Sequence, residues 1–165
     1  MAKIKTTALL LALCLAACVG TTPKQAAEYN DMLIKHQKNI IIKYDSLLES
    51  FDTYVARKME RSMISLMQEL DNAKYHITNC EPVKGGEDFR LALLNYIDTY
   101  MEVSRNEIPV LIEIYSLPQN EFTPENKSKW DNTYMEMDSK LKTAYKALKE
   151  AQEKYAGKFN LKISQ

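Results

Sequence analysis

Histidine, glycine and cysteine are scarce in this sequence, and each scarcity argues against a class of site. The 165 residues include two histidines, four glycines and three cysteines. Helical metal proteins use Glu-x-x-His motifs, but Leu33 precedes His36 and Ala73 precedes His76 at that spacing. Loops that cradle phosphates need clustered glycines, which the chain lacks. We therefore expect no metal ion and no cofactor, and we interpret both histidines as packed or solvated helix residues.

An excess of positive charge is also missing. The sequence holds 22 basic and 22 acidic residues, whereas proteins that bind nucleic acids carry a basic patch or stripe. No run of basic residues is present that could form a binding groove. The composition therefore predicts that nucleic acid is not a partner.

The longest apolar run lies at the N-terminus and is too short to cross a bilayer. Lys3 and Lys5 precede an apolar stretch over residues 8–15, which ends in small residues. A spanning helix needs about 20 apolar residues, and this arrangement is instead typical of an export signal. We expect residues 1–17 to be a signal peptide that is removed.

The four residues Leu15, Ala16, Ala17 and Cys18 resemble a lipobox, the cleavage and acylation motif of bacterial lipoproteins. The resemblance implies that Cys18 becomes an acylated N-terminus, which anchors the chain to a membrane. Each buried CH₂ group of the lipid contributes about 0.8 kcal/mol to that attachment. Ordinary cleavage after Ala17, which would leave a free thiol, is the alternative.

The residues after Cys18 bear on which membrane holds the protein. Val19 stands where many lipoproteins of the inner membrane carry aspartate, so we expect the outer membrane. No acidic run of the kind associated with surface export follows, which favours the periplasmic face over the cell surface.

Cys80 is the one cysteine that remains once Cys14 leaves with the signal and Cys18 carries lipid. An intrachain disulfide is therefore excluded. We interpret Cys80 as a small buried side chain near the end of a helix, with a reactive thiol as the alternative.

Apolar residues from about residue 26 onward recur at spacings of three and four, which is the period of an α-helix. They predict helices over residues 27–51, from Val55 to Cys80, from Glu87 onward and from Thr123 to about Ala156. Short connections between helices favour antiparallel neighbours. The sequence therefore predicts an all-α, up-and-down four-helix bundle over residues 26–165, joined to the lipid by a polar tether over residues 18–25.

Proline and glycine mark the ends of these helices. Thr123 and Pro124 form a start signal, since threonine caps a helix and proline fits its first position. Pro109 lies inside the third helix, where we expect a kink. Gly157 is the predicted C-cap of the fourth helix, and the alternating polarity of residues 159–163 favours an extended tail.

Gln37 and Gln152 each replace an apolar residue on a helical stripe. A buried amide without a partner costs about 1 to 3 kcal/mol, so we expect the two side chains to pair across the first and fourth helices. The alternative is that they line a small-molecule cavity, with Tyr29, Asn30 and Tyr155 as further ligand contacts. The other aromatic residues lie mostly on the apolar stripes and predict core packing.

Several short motifs together resemble a known group of proteins. They are Tyr29-Asn30-Asp31, Gln37 eight residues after that tyrosine, Gly85-Gly86 before Phe89, Ala151-Gln152 and Tyr155-Ala156. Their arrangement resembles a family of uncharacterised helical-bundle surface lipoproteins of Bacteroidetes and spirochaetes, over most of residues 26–163. The resemblance implies a four-helix bundle behind a lipobox, and it carries over no catalytic residue.

The leading functional hypothesis is a non-enzymatic, membrane-anchored module that acts through its surface on another envelope protein or on envelope material. A protein that binds a small apolar or aromatic ligand between its helices is the first alternative, and a cavity beside Gln37 and Gln152 would favour it. An enzyme whose acidic residues meet only in the fold is the second. Carboxyl groups with perturbed pKa values in a cleft would favour that one.

Overall fold

The computed structural model describes residues 20–162 of the chain. These residues form four α-helices: α1 (Pro23–Phe51), α2 (Ala56–Asn79), α3 (Glu87–Tyr115) and α4 (Pro124–Phe159), with a short 3-10 turn over Gln119–Glu121. No strand occurs within this range, so the predicted all-α four-helix bundle is confirmed. The predicted signal peptide (residues 1–17), Cys18 with its predicted lipid, and residues 163–165 lie outside the described residues.

Helix α1 begins earlier than the apolar stripe predicted. The Thr22 hydroxyl accepts a hydrogen bond from the Gln25 amide at 3.3 Å, and the Gln25 side chain accepts one from the Thr22 amide at 3.0 Å. This capping box satisfies two amide groups at the start of the helix, and Pro23 fits its first position. The predicted tether over residues 18–25, with a bundle starting at residue 26, is therefore wrong for residues 23–25, which form the first turn of α1.

Helix α4 begins as predicted and ends later than predicted. The Thr123 hydroxyl accepts from the Asn126 amide at 3.2 Å, and Pro124 follows it. At the other end, Asn160 adopts a left-handed conformation with φ 53°, and it is the C-cap in place of Gly157. Asparagine tolerates this conformation because its short side chain can bond locally. The predicted extended tail is wrong at Phe159, which is the last residue of α4.

Helix α3 forms the centre of the bundle. Thirteen of its 29 residues are buried, against six of the 29 residues of α1, because α3 packs against both α2 and α4 and also reaches α1. Pro109 lies inside α3, and the helix continues past it. Helix α4 therefore packs mainly onto α3, whereas α1 packs mainly onto α2.

Helices α1 and α4 run antiparallel and meet through side chains. The Tyr155 hydroxyl donates to the Ala26 carbonyl at 3.0 Å near the start of α1. Further along, the Tyr44 hydroxyl lies 4.0 Å from the Met137 sulfur. The start of α1 and the end of α4 therefore lie at the same end of the bundle.

We call this end the proximal end, because the chain enters the bundle there. It contains the start of α1, the α2–α3 loop and the end of α4, and the Thr21 hydroxyl donates to the Lys84 carbonyl at 3.1 Å across it. The opposite end, which we call the distal end, contains the α1–α2 turn, the end of α3 and the start of α4. The 29 residues of α1 separate the two ends by roughly 43 Å, at about 1.5 Å per residue.

Within residues 20–162, none of the helices combines the length and the apolar character that crossing a membrane requires.

Candidate binding site

The two glutamines predicted to pair do not pair in the structure. Gln152 Nε2 donates to Asn30 Oδ1 at 3.1 Å, and no hydrogen bond joins Gln152 to Gln37 among the described residues. Gln37 lies seven residues after Asn30, which is about two helical turns or 10 Å further along α1. The Gln37–Gln152 prediction fails because the stripe pattern gives the face of each helix but not the register between helices. Gln37 and Gln152 are both half-buried, not fully buried.

The three predicted ligand contacts lie together at the proximal end, but the fold uses most of their polar groups. Asn30 accepts from Gln152, and the Tyr155 hydroxyl donates to Ala26. The Tyr29 and Tyr155 rings pack with centroids 5.9 Å apart, and burial raises the pKa of Tyr155 to about 12. Tyr155 also borders a cavity of about 130 Å³ beside Lys154. The proximal cluster is therefore packed core with a small cavity beside it, lined in part by lysine and acidic side chains.

An aromatic pocket opens at the distal end, where the sequence predicted closed core. Its volume is about 110 Å³. The lining is entirely apolar or aromatic: Leu47, Leu48 and Phe51 from α1, Ile108, Leu111 and Tyr115 from α3, and Trp130, Tyr134 and Met137 from α4. The pocket therefore lies where α1, α3 and α4 meet. We call this space the distal pocket.

Trp130 brings a hydrogen-bond donor to the lining of the distal pocket. Its indole stacks on the Tyr134 ring, with centroids 5.1 Å apart and planes 5° apart. The indole N–H is buried and has no hydrogen-bond acceptor within residues 20–162. A buried donor without an acceptor costs about 1 to 3 kcal/mol. The indole N–H of Trp130 therefore has no hydrogen bond to the described part of the chain.

Exposed apolar side chains surround the distal pocket. Eleven large hydrophobic side chains are exposed among the described residues; Leu48 and Tyr134 line the pocket, and Tyr54, Val55 and Phe122 lie in the connections at the same end. Tyr54 is 70% exposed and stacks on Tyr115 with centroids 5.1 Å apart. Tyr54 also has a φ of 52°, in the left-handed region that bulky residues rarely adopt. The distal end therefore combines a pocket, exposed rings and a strained turn.

A cluster of carboxylates on α3 and α4 is the nearest approach to an acid–base site. Lys140 Nζ lies 2.6 Å from Glu107, 2.9 Å from Glu102 and 3.0 Å from Glu136. Hydrogen bonds to Glu107, Glu102 and Glu136 raise the pKa of Lys140 well above its usual range. A lysine held protonated in this way is neither a nucleophile nor a base near neutral pH. The ion pairs of Lys140 with Glu102 and Glu107 join α4 to α3.

The two histidines meet on the α1–α2 seam. Their rings stack with centroids 5.7 Å apart, and Tyr75 packs edge-on against His76. Burial, and then the neighbouring His76, lower the pKa of His36, while Glu69 acts in the opposite direction. Among the described residues, no group of three or more histidine, cysteine or acidic side chains is arranged to hold a metal ion.

Sequence reasoning missed the distal pocket, although a signal for it exists. Phe51, Tyr54, Tyr115, Trp130 and Tyr134 all lie within about three turns of the helix ends that an up-and-down topology brings together. The apolar stripes predicted Phe51, Trp130 and Tyr134 as core residues and did not include Tyr54 or Tyr115. Grouping the aromatic residues by the end of the predicted bundle would have placed them side by side.

No protein-family model, curated protein or solved structure matches this chain. The fold therefore defines the class of the protein, an all-α four-helix bundle, and its function has to be argued from its own residues.

Proposed function

We propose that this chain is a lipoprotein of the bacterial cell envelope, anchored through Cys18, which binds another envelope protein through its distal end and catalyses no reaction. The observation that carries this proposal is the collection of exposed apolar and aromatic side chains around the distal pocket. Monomeric proteins rarely expose contiguous apolar patches unless they bind something there. Aromatic residues are also enriched at protein interfaces, which supports a protein partner.

The anchor and the binding surface would lie at opposite ends of the bundle. Cys18 precedes Pro23 by five residues, a length of chain that reaches at most about 18 Å. A lipid on Cys18 would therefore hold the proximal end close to the membrane. The distal end lies roughly 43 Å further along α1 and stays accessible to a partner. The resemblance to helical-bundle surface lipoproteins supports the same arrangement, and Val19 favours the outer membrane.

The anchor is tested by lipid labelling of cysteine variants of the full-length chain. Bacteria that express the chain are fed an alkyne analogue of palmitate, and the incorporated label is detected on the purified protein. We expect the label to be lost in Cys18→Ala and kept in the matched variants Cys14→Ala and Cys80→Ala. Label that persists in Cys18→Ala, or that never enters the unaltered chain, would overturn the anchor.

The absence of catalysis is tested at the carboxylate cluster, because that is where an acid–base pair would have to act. Glu107 is only 6% exposed and one of its carboxylate oxygens has no hydrogen-bond partner among the described residues. An open groove of about 610 Å³ between α3 and α4 runs past its neighbours Glu102 and Lys140. Hydrolysis of an envelope substrate that is lost in Glu107→Gln, with the fold retained, would favour the enzyme alternative.

A further inference from the structure

The size of the distal pocket limits what can occupy it. Its volume is about 110 Å³, whereas pockets for whole metabolites or drug-sized ligands span roughly 300 to 1,000 Å³. A cavity of about 150 Å³ accommodates benzene. The distal pocket therefore has room for one side chain of about leucine size, and a larger molecule would remain mostly outside it.

The exposed side chains near the pocket indicate that the group inside it belongs to a larger molecule. Leu48, Tyr54 and Tyr134 stay exposed around the opening, and a small free compound inside the pocket would leave them uncovered. Protein interfaces commonly have one apolar anchor in a pocket, with a surrounding ring of contacts that excludes water. A segment of a partner protein would cover the exposed side chains while it fills the pocket.

The excess of acidic residues at the distal end indicates the charge of the partner segment. Residues 45–58 and 113–131, which form the distal end, carry seven acidic and four basic side chains. Of these acids, only Asp131 forms an ion pair within the described residues, with Lys127 at 2.6 Å. Glu49, Asp52 and Glu113 are exposed and free to pair. A partner segment with basic residues would meet complementary charge there.

We infer that the distal pocket receives one aliphatic side chain of leucine size from a basic segment of the partner protein, whose lysine or arginine residues pair with the acidic side chains of the distal end. The inference rests on the proposed function, since it names the group that the distal end binds. Apolar burial in the pocket supplies affinity. The acidic surroundings select the partner and speed its approach.

Trp130 gives a direct reading of the pocket, because it is the single tryptophan of the chain. Its indole N–H therefore contributes one resonance to the ¹⁵N–¹H spectrum, and no other tryptophan contributes to the fluorescence. A group that enters the pocket changes the surroundings of this ring, so both signals report occupancy directly.

The experiment titrates the purified protein, expressed from the full-length sequence, with four capped probes while the Trp130 signals are followed. The basic probe is acetyl-Lys-Lys-Leu-Lys-Lys-amide, and its controls replace the leucine by alanine or the lysines by glutamate. The fourth probe, acetyl-leucine-amide, carries the same side chain without its basic flanks. A single anchored side chain supports binding of about millimolar affinity, which such a titration detects.

We expect the basic leucine peptide to bind roughly tenfold more tightly than the alanine peptide, because the alanine peptide loses the buried part of the side chain. The acidic leucine peptide should bind more weakly than the basic one, and added salt should reduce the difference. Leu48→Tyr, which enlarges a side chain at the opening, should weaken binding of the basic leucine peptide about tenfold. The matched variant Leu91→Tyr, made at an exposed leucine of the α3–α4 groove, should leave binding unchanged.

Several outcomes would overturn the inference. Equal binding of the leucine and alanine peptides would show that the pocket takes no side chain, and equal binding of the acidic and basic peptides would remove the role of charge. Acetyl-leucine-amide that binds as tightly as the basic peptide would make the pocket a site for free small compounds. If the peptide binds as expected but the label on Cys18 is absent, the inference stands and the anchored role fails.

Discussion

The two ends of the bundle use similar aromatic residues in opposite ways. At the proximal end Tyr155 donates to Ala26, and Gln152 donates to Asn30. At the distal end the Trp130 N–H lacks an acceptor among the described residues, and its ring borders an open pocket. The proximal end therefore joins α1 to α4 through two side-chain hydrogen bonds, while the distal end has a pocket between the same helices.

The acidic side chains show the same contrast. Residues 20–28, 80–90 and 153–162 at the proximal end carry five acids, and four of them form ion pairs with Lys24, Arg90, Lys154 and Lys149. At the distal end one acid in seven does so within the described chain. Exposed ion pairs add little stability. The different number of paired acids at the two ends should therefore affect partner binding more than folding. Unpaired charge at the distal end is available to a partner.

Tyr29 is an exception to the difference in hydrogen bonding between the two ends. The Tyr29 hydroxyl at the proximal end also lacks a hydrogen-bond partner among residues 20–162, but the residue is buried. Burial, and then the nearby Cys80, raise the pKa of Tyr29 above its usual range. An unsatisfied group indicates a binding site only where a pocket lies beside it.

The largest difference we predict is between alanine substitutions of one ring at each end. Phe89→Ala at the proximal end should lower the free energy of unfolding by about 4 kcal/mol, because the ring is almost fully buried and its removal leaves a cavity. Trp130→Ala should cost less than about 2 kcal/mol, since that ring is only half-buried. Urea unfolding followed by circular dichroism measures both. Equal losses would mean that the distal end is packed as tightly as the proximal end.

A smaller difference should come from removing one polar hydrogen at each end. Tyr155→Phe removes the hydroxyl that donates to Ala26 and should cost about 1 kcal/mol. Trp130→Phe removes an N–H without an acceptor, so the loss of ring area is offset and stability should change by less than about 0.5 kcal/mol. The same unfolding measurement compares them. A loss in Trp130→Phe that exceeds the loss in Tyr155→Phe would show that the indole N–H is satisfied.

Mild acid, between pH 7.5 and 5, should destabilise the bundle at the seam between α1 and α2. Burial, and then His76, hold the folded-state pKa of His36 below the 6.5 of the unfolded chain. The unfolded chain then binds more protons, so stability falls as pH drops below about 6.5 and stops falling below the folded-state pKa. Unfolding measured from pH 7.5 to 5 should show this fall, reduced in His36→Gln. An unchanged fall in that variant would show that His36 is not its origin.

The smallest effect we predict is at two exposed tyrosines, one near each end. Tyr54→Gly relieves a left-handed backbone but loses the stack on Tyr115, so stability should change by less than about 0.5 kcal/mol. Tyr75→Gly lies inside α2 and should cost roughly 1 kcal/mol, because glycine disfavours a helix interior. Thermal unfolding compares the two variants. If Tyr54→Gly is the more destabilising, the stack on Tyr115 outweighs the backbone strain.

The sequence predicted what depends on neighbouring residues and missed what depends on distance between helices. Apolar spacing predicted the four helices, and the Thr123-Pro124 pair predicted the start of α4, because both signals are local. The capping box of Thr22 and Gln25 is equally local and could have been found. The Gln37–Gln152 pair failed because helical periodicity does not determine the register between helices. The predicted topology could have grouped the distal aromatic residues, but not the space between them, since the separation of α1 from α4 depends on how all four helices pack.

The central claim is that the distal end, and not the proximal end, contacts a partner. Tyr54 and Tyr75 are 70% and 67% exposed and lie towards opposite ends of the bundle, so p-benzoylphenylalanine at each position is a matched pair of photo-crosslinkers in living bacteria. We predict one adduct of discrete mass from position 54, lost when Leu48→Tyr is combined with it, and no adduct from position 75. An adduct from position 75 with equal or greater yield, or an adduct from position 54 that survives Leu48→Tyr, would contradict the account.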